Sequence, residues 1–251
     1  TGEIRRVIAF LEEQTGKRMD YDRLRELVEE SNRAAEYLIE ANELRKTIPC
    51  PQSGRLLPLI PFINAFAAGN PKRTEFYRLI RDAARQCVAQ GVGVVPEERN
   101  RVVWFMVPTY FDMEIFPWME QQFGAVIVMD MFSYGSITPV DTSSIERMER
   151  GLALKALNFP MIRQLRGPAE FYTDDLVRVC EEYQADSIIY AGHEGCKHGW
   201  GLVGLIRDTC KELGRPLLVF DMDAFGGSPH AAAEVRRKIE EFFLTLAATP
   251  A

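Results

Sequence analysis

The stretch SIIYAGHEGCKHGWG, residues 187–201, decides how the rest of the chain is read. It opens on a short apolar run, Ser187 to Tyr190, crosses a glycine-rich turn, and enters a helical pattern from Gly199 to Leu213 that Gly214 closes. Strand, loop and helix in that order make half of a βαβ unit. Three other runs have the same texture: VVWFMV (102–107), AVIVM (125–129) and LLVF (217–220). Each is nearly all apolar, as strands covered by helices on both faces should be. Helix signals fill the gaps. Pro117 suits a first turn before Trp118 to Phe123, with Gly124 behind it. Ser143 and Glu146 stand at capping-box spacing before Met148 to Leu157. Thr173, Asp174 and Asp175 open another helix, and Ala231 to Leu246 supplies the last.

The expected fold class is therefore α/β: a flavodoxin-like or Rossmann-like parallel four-stranded sheet flanked by helices and preceded by a helical arm. That arm is read from apolar residues at helical spacing over Ile4 to Leu11 and over Asp20 to Lys46, where Leu24, Leu27, Val28, Ala35, Leu38 and Ile39 share one stripe. Asp20 is placed to cap the second helix, whose charged length suggests a domain or subunit contact. Pro49, Pro51, Gly54 and Pro58 forbid its continuation, and a further amphipathic run follows from Thr74 to Ala89. The expected division is residues 1–97 for arm and connection and 98–251 for the α/β domain. The chain opens on Thr1 and enters helical pattern at once, which suggests a processed product or a piece of something longer.

Composition narrows the function classes. Of 251 residues 47% are hydrophobic and 26% charged, ordinary for a globular protein. Thirty Lys and Arg against 36 Asp and Glu give a net charge of −6 without a basic tract, so nucleic acid is not an expected partner. Every apolar run is closed by Asp, Gly or Pro well short of a membrane span. An odd set of cysteines (Cys50, Cys87, Cys180, Cys196, Cys210), without a secretory leader pattern, points to a reducing, cytoplasmic setting. Cys87, Cys180 and Cys210 fall on apolar helix faces and read as core. Cys50, between two prolines, is expected to be more exposed but structural.

Parallel strands gather the loops that follow them along one sheet edge, where ligands bind in open α/β sheets. The loop after the third strand holds two of the chain's three histidines, with Glu194, Cys196 and Lys197 between His193 and His198. A cysteine just before a helix N-terminus, among cations, is placed for thiolate chemistry. Zinc on His193, Cys196 and His198, a nucleophilic Cys–His pair, and an anion held by the Gly192 to Gly201 backbone all remain open readings. Tyr110, Ser133 and Tyr134 offer hydroxyls at neighbouring strand ends. Asp221 and Asp223 either orient a ligand or cap the next turn.

Residues 187–243, with Gly195-Cys196-Lys197-His198 between strand and helix, resemble the C-terminal domain of the 2-hydroxyacyl-CoA dehydratase and benzoyl-CoA reductase family. Thr15-Gly16 before a long helix containing Asn32, then Arg101-Val102-Val103 leading to Gly124-Ala125-Val126, is similar to the order of elements in that family's subunits. The resemblance implies an oxygen-sensitive subunit with a [4Fe–4S] cluster held by cysteines of two α/β domains, with Cys196 as one ligand. It also implies a second dehydratase or reductase subunit, an ATP-dependent activator that donates the electron, and an acyl-CoA substrate reduced by one electron to a ketyl radical anion. His193, Glu194, Lys197, His198, Tyr110 and Ser133 are expected as neighbours of that site. The chain reads as the C-terminal part of such a subunit, inactive alone. The alternatives are a cluster-bearing reductase of other small molecules, or a non-catalytic domain binding a phosphate or nucleotide at the Gly192 to Gly201 loop.

Overall fold

A computed structural model describes residues 1–134 and 137–248. Among the described residues ten α-helices and four strands form: the expected helices and strands in their expected order, and two short helices not expected from the sequence, 60–66 and 162–166. The helical first third comprises α1 (Gly2–Thr15), α2 (Tyr21–Leu44), a 3₁₀ turn (Gly54–Leu59), α3 (Ile60–Phe66) and α4 (Pro71–Gln90). The remainder is β1 (Asn100–Met106), α5 (Ile115–Phe123), β2 (Ala125–Asp130), α6 (Ile145–Leu157), α7 (Ile162–Arg166), α8 (Glu170–Glu182), β3 (Ser187–His193), α9 (Lys197–Glu212), β4 (Leu217–Met222) and α10 (Pro229–Ala248). All strand pairs are parallel, in the order β2-β1-β3-β4.

β1 and β3 take the middle, with Val102, Val103, Trp104, Phe105, Ile188, Ile189 and Tyr190 all at or below 1% exposure. β2 lies at an edge but is equally buried, covered by α5 and the 3₁₀ turn. β4 has half-buried residues along its first three positions and lies at one edge. On one face Trp104 meets Phe116 of α5 and Phe220, and Phe123 stacks on Phe243 of α10. On the other face Phe105 meets Tyr172 of α8 and Tyr190, and Tyr190 meets Trp200 of α9. The main apolar core joins the sheet to Ala34 and Leu38 of α2 and Tyr77 of α4, and a small second cluster holds Val28, Val140 and Met148. Ala34, Ala35 and Ala41 are small enough to let α4 lie close along α2.

Buried polar groups tie the arm to the sheet. Arg101, at the start of β1, pairs with Glu98 and donates to the carbonyls of Tyr183 at 2.8 Å and Arg45 at 3.0 Å. The Glu120 carboxylate on α5 accepts Ser53 Oγ and the Gly54 N–H, both at 2.8 Å, while burial pushes its pKa up. α1 is different. It has no buried residue, and Val7, Phe10 and Leu11 are more than half exposed.

Asp20 caps α2 as expected, accepting from Arg23 N at 2.8 Å. Four local readings are corrected. The cap of α6 is Ser144, bonded to Arg147 N, because Ser143 N–H is taken by Asp141. α8 starts at Glu170 rather than at Thr173-Asp174-Asp175, since Pro168 and Ala169 carbonyls already receive the Phe171 and Tyr172 N–H groups. Asp175 is buried in the helix body and bonded to Arg163 and Gln164 of α7. β3 and β4 run on to His193 and Met222, because Gly192 pairs with Asp221 and His193 with Met222. Cys50 is wholly buried rather than exposed, its Sγ set 3.4 Å from the Gln52 carbonyl.

Cys180 and Cys210 are buried as expected, and burial pushes both thiols up to about 12. Cys87 is only half-buried. No helix among the described residues is long and apolar enough to cross a membrane.

Candidate functional site

Strand order locates the site. From β1 the chain moves outward to β2, then returns past β1 to lay down β3 and β4. The loops after β1 and β3 therefore diverge, and the crevice between them is the switch point where open α/β sheets hold ligands. Cys196 stands at that point, at the N-terminus of α9.

Its loop is built for close approach. The Cys196 N–H bonds back to the His193 carbonyl at 2.9 Å, which also accepts Trp200 Nε1 at 3.1 Å. Cys196 Sγ then accepts the Gly199 N–H at 3.4 Å, so the sulfur itself caps the helix. Tyr190 reaches from below, donating its hydroxyl to the Gly199 carbonyl at 2.7 Å. A Cβ on Gly192 would lie 2.5 Å from the Trp200 ring, so glycine is required there, whereas one on Gly199 would meet only the flexible end of Met106, Cε, at 2.6 Å. Met106 ends β1 with a φ of 78°, a left-handed value that costs a non-glycine residue on the order of 1–3 kcal/mol. The crevice thus has a strained residue on one wall and a half-exposed thiol on the other.

The histidines diverge from the sulfur. His193 Nδ1 accepts the Ala224 N–H at 3.3 Å and lies 3.9 Å from Asp223, which ties its ring to the loop after β4. His198 faces the ring of Tyr172 on α8, 5.6 Å between centroids. Among the described residues Sγ bonds neither imidazole, and no three His, Cys, Asp or Glu side chains gather as a metal set. Zinc on His193, Cys196 and His198 is therefore not formed, nor is a bonded Cys–His pair. Glu194 and Lys197 are exposed, their side chains without a hydrogen-bond or ion-pair partner among the described residues.

The other expected neighbours fall in two places. Tyr110 lies beyond β1, stacked on Phe225 at 5.1 Å and edge-on to Phe62 at 5.2 Å, so its ring joins the loops after β1 and β4 to α3. Burial raises its hydroxyl's pKa. Ser133 follows β2, is 3% exposed, and gives its hydroxyl to the Leu57 carbonyl at 3.0 Å. That bond fastens the β2 turn to the 3₁₀ turn. Tyr134 is half-buried beside Tyr183. Of the two aspartates, Asp223 caps its own turn by accepting Phe225 N, which together with the Gly226 N–H holds its carboxyl below the usual range. Asp221 is exposed, 3.7 Å from Lys238.

Sequence reasoning passed over Asp130. It ends β2 at 1% exposure; Oδ1 accepts the Ser133 N–H at 2.5 Å and Oδ2 has no partner among the described residues. Burial pushes its carboxyl up to about 6. An acid closing an all-apolar strand was the available signal.

An iron–sulfur cluster needs several thiolates, and among the described residues Cys196 is the one cysteine at the end of the sheet strands, before α9. Cys50, Cys180 and Cys210 are buried, and Cys87 sits on α4. The site fits one corner of such a group rather than the whole.

Comparison with known proteins places the chain among relatives. The chain is 24% identical to a benzoyl-CoA reductase subunit of Thauera aromatica over 247 residues, covering 94% of this chain and 56% of that relative. The chain thus spans about half the relative's length. Residues 1–246 match the family described as 2-hydroxyglutaryl-CoA dehydratase, D-component. With the parallel sheet, the switch-point cysteine and that near-complete match together, the chain belongs to the 2-hydroxyglutaryl-CoA dehydratase D-component family.

Proposed function

We propose that this chain forms part of an iron–sulfur subunit of a 2-hydroxyacyl-CoA dehydratase or benzoyl-CoA reductase type enzyme, with Cys196 as the one cluster ligand it contributes. The observation that carries the reading is the half-exposed Cys196 thiol at the switch-point crevice, capping α9. A helix N-terminus stabilises negative charge, so the position suits a thiolate that binds metal. A [4Fe–4S] cluster completed by thiolates from elsewhere would supply single electrons for an acyl-CoA thioester.

The chain's own residues then have defined tasks. Tyr190 and Trp200 hold the Cys196 loop through backbone carbonyls. Tyr110 stacks on Phe225 and so ties the loop after β1 to the loop after β4. The resemblance to the family implies the partners: the remaining ligand-bearing domain, a second subunit, and an ATP-dependent electron-donating activator. Five free cysteines, none bridged, support a reducing cytoplasmic setting.

The test is iron and acid-labile sulfide in the full-length protein, purified without oxygen, against Cys196→Ser. Serine preserves the helix cap and cannot serve as a soft ligand. The reading expects both elements in the wild type and a marked loss in the variant. A full complement of iron in Cys196→Ser would sink it.

A further inference from the structure

Away from the Cys196 loop lies a second cavity, of about 550 Å³, between α2, α3, α6 and the segment after β2. Its walls are mainly apolar, with Leu24, Leu27, Ile60, Phe132, Leu152 and Phe159 among them. The volume is that of a small-molecule site. Two charged residues line it, Arg73 and Lys155, both cations, and no acid does so among the described residues.

Arg73 is the unusual one. It is 5% exposed, yet its Nε has no partner among the described residues, and its other nitrogens reach only the carbonyls of Asn64 and Ser31, each at a long 3.4 Å. A guanidinium so buried normally has a carboxylate opposite it. Glu30, the one acid whose charge it feels, is taken up by Arg33 and Thr74 and does not line the cavity. Across the groove, Lys155 is exposed as a residue, yet its pKa is lowered by desolvation and then by the like charge of Arg73. Two cations near enough to repel one another, with an open N–H and apolar walls, leave an anion's place unfilled.

We propose that this groove binds an amphipathic carboxylate, its head between Arg73 Nε and Lys155 and its hydrocarbon body along α2, α3 and α6. One open guanidinium N–H and one ammonium suit a singly charged head better than a phosphate, which would call for more donors. The binding is independent of the Cys196 reading and goes beyond it.

Isothermal titration calorimetry of the full-length protein with sodium octanoate, and with 1-octanol as the neutral counterpart, tests this. Octanoate should bind at one saturable site, with octanol at least about tenfold weaker, the loss expected when a charge-assisted hydrogen bond is removed. Lys155→Met should weaken octanoate by a similar factor, and Arg73→Gln should abolish binding. Arg73 also holds two carbonyls, so if that variant fails to fold, Ala156→Trp decides instead: it fills the groove from an exposed position on α6 and should block octanoate without touching either cation. Repeating the titration in Cys196→Ser should change nothing, so iron loss and octanoate binding fail separately. Absence of saturable heat in the wild type, equal affinity for octanol, or unaltered binding in both Lys155→Met and Ala156→Trp would overturn the proposal.

Discussion

The Cys196 loop and the Arg73–Lys155 groove solve opposite problems. In the loop, polar groups crowd within six residues and the backbone uses two of them: Sγ caps a helix and His193 receives an amide. In the groove, the polar groups come from helices 82 positions apart in sequence and one of them is left unsatisfied. The lesson is that a dense motif marks where chemistry is feasible, whereas an orphaned buried charge marks where something is missing.

The largest effect expected tests whether both regions depend on one scaffold. Trp104 stands at 1% exposure in the central strand, against Phe116 and Phe220. Trp104→Ala should cost about 3–5 kcal/mol in denaturant unfolding and weaken iron retention and octanoate binding together. Phe10→Ala, on the exposed face of α1, should stay within about 0.5 kcal/mol. Equal losses from the two would mean that α1 is packed as tightly as the sheet.

Gly192→Val separates the regions. Its new side chain would collide with the Trp200 ring, at a cost of about 1–3 kcal/mol, and should disturb iron binding while leaving octanoate titrations unchanged. A parallel loss of both would show that the groove is not independent.

Asp130 lies between the two, ending the strand whose following residues, Phe132 and Ser133, line the groove. Its carboxyl rises from 3.8 to about 6 on folding, so the stability it contributes is complete below pH 3.8 and is lost as pH climbs through 6. Relative to wild type, Asp130→Asn should therefore gain stability between pH 4 and 7, by on the order of 3 kcal/mol. Thermal melts across that range check it, and a pH-independent difference would show that Asp130 stays charged throughout. The smallest effect is on the fold in Cys196→Ser: within about 0.5 kcal/mol, since serine is a good cap. A large destabilisation would make the cysteine structural.

Much of the fold was legible. Strands buried on both faces are apolar throughout, and 102–107, 125–129, 187–190 and 217–220 each landed on a strand. Boundaries were less so, because β3 and β4 lengthen each other through pairing that no local window contains. Cap choice at Ser144 and the start of α8 turned on which neighbouring groups were already bonded. Cys196 was legible because glycine, cysteine and cations sit together in sequence. Met106 and Asp130 were not, since a left-handed φ and an unpartnered oxygen arise from what surrounds them.

By itself, then, the sequence determined the α/β class, the helical arm, the parallel direction of the strands and the cysteine loop, all of which depend on residue periodicity and local backbone freedom. The tertiary structure alone decided the strand order β2-β1-β3-β4, which puts Cys196 at the switch point, the divergence of His193 and His198, and the meeting of Arg73 with Lys155. These depend on which surfaces are buried against which. A chain read in order carries the first kind of information directly, and the second only through the packing of residues far apart along it.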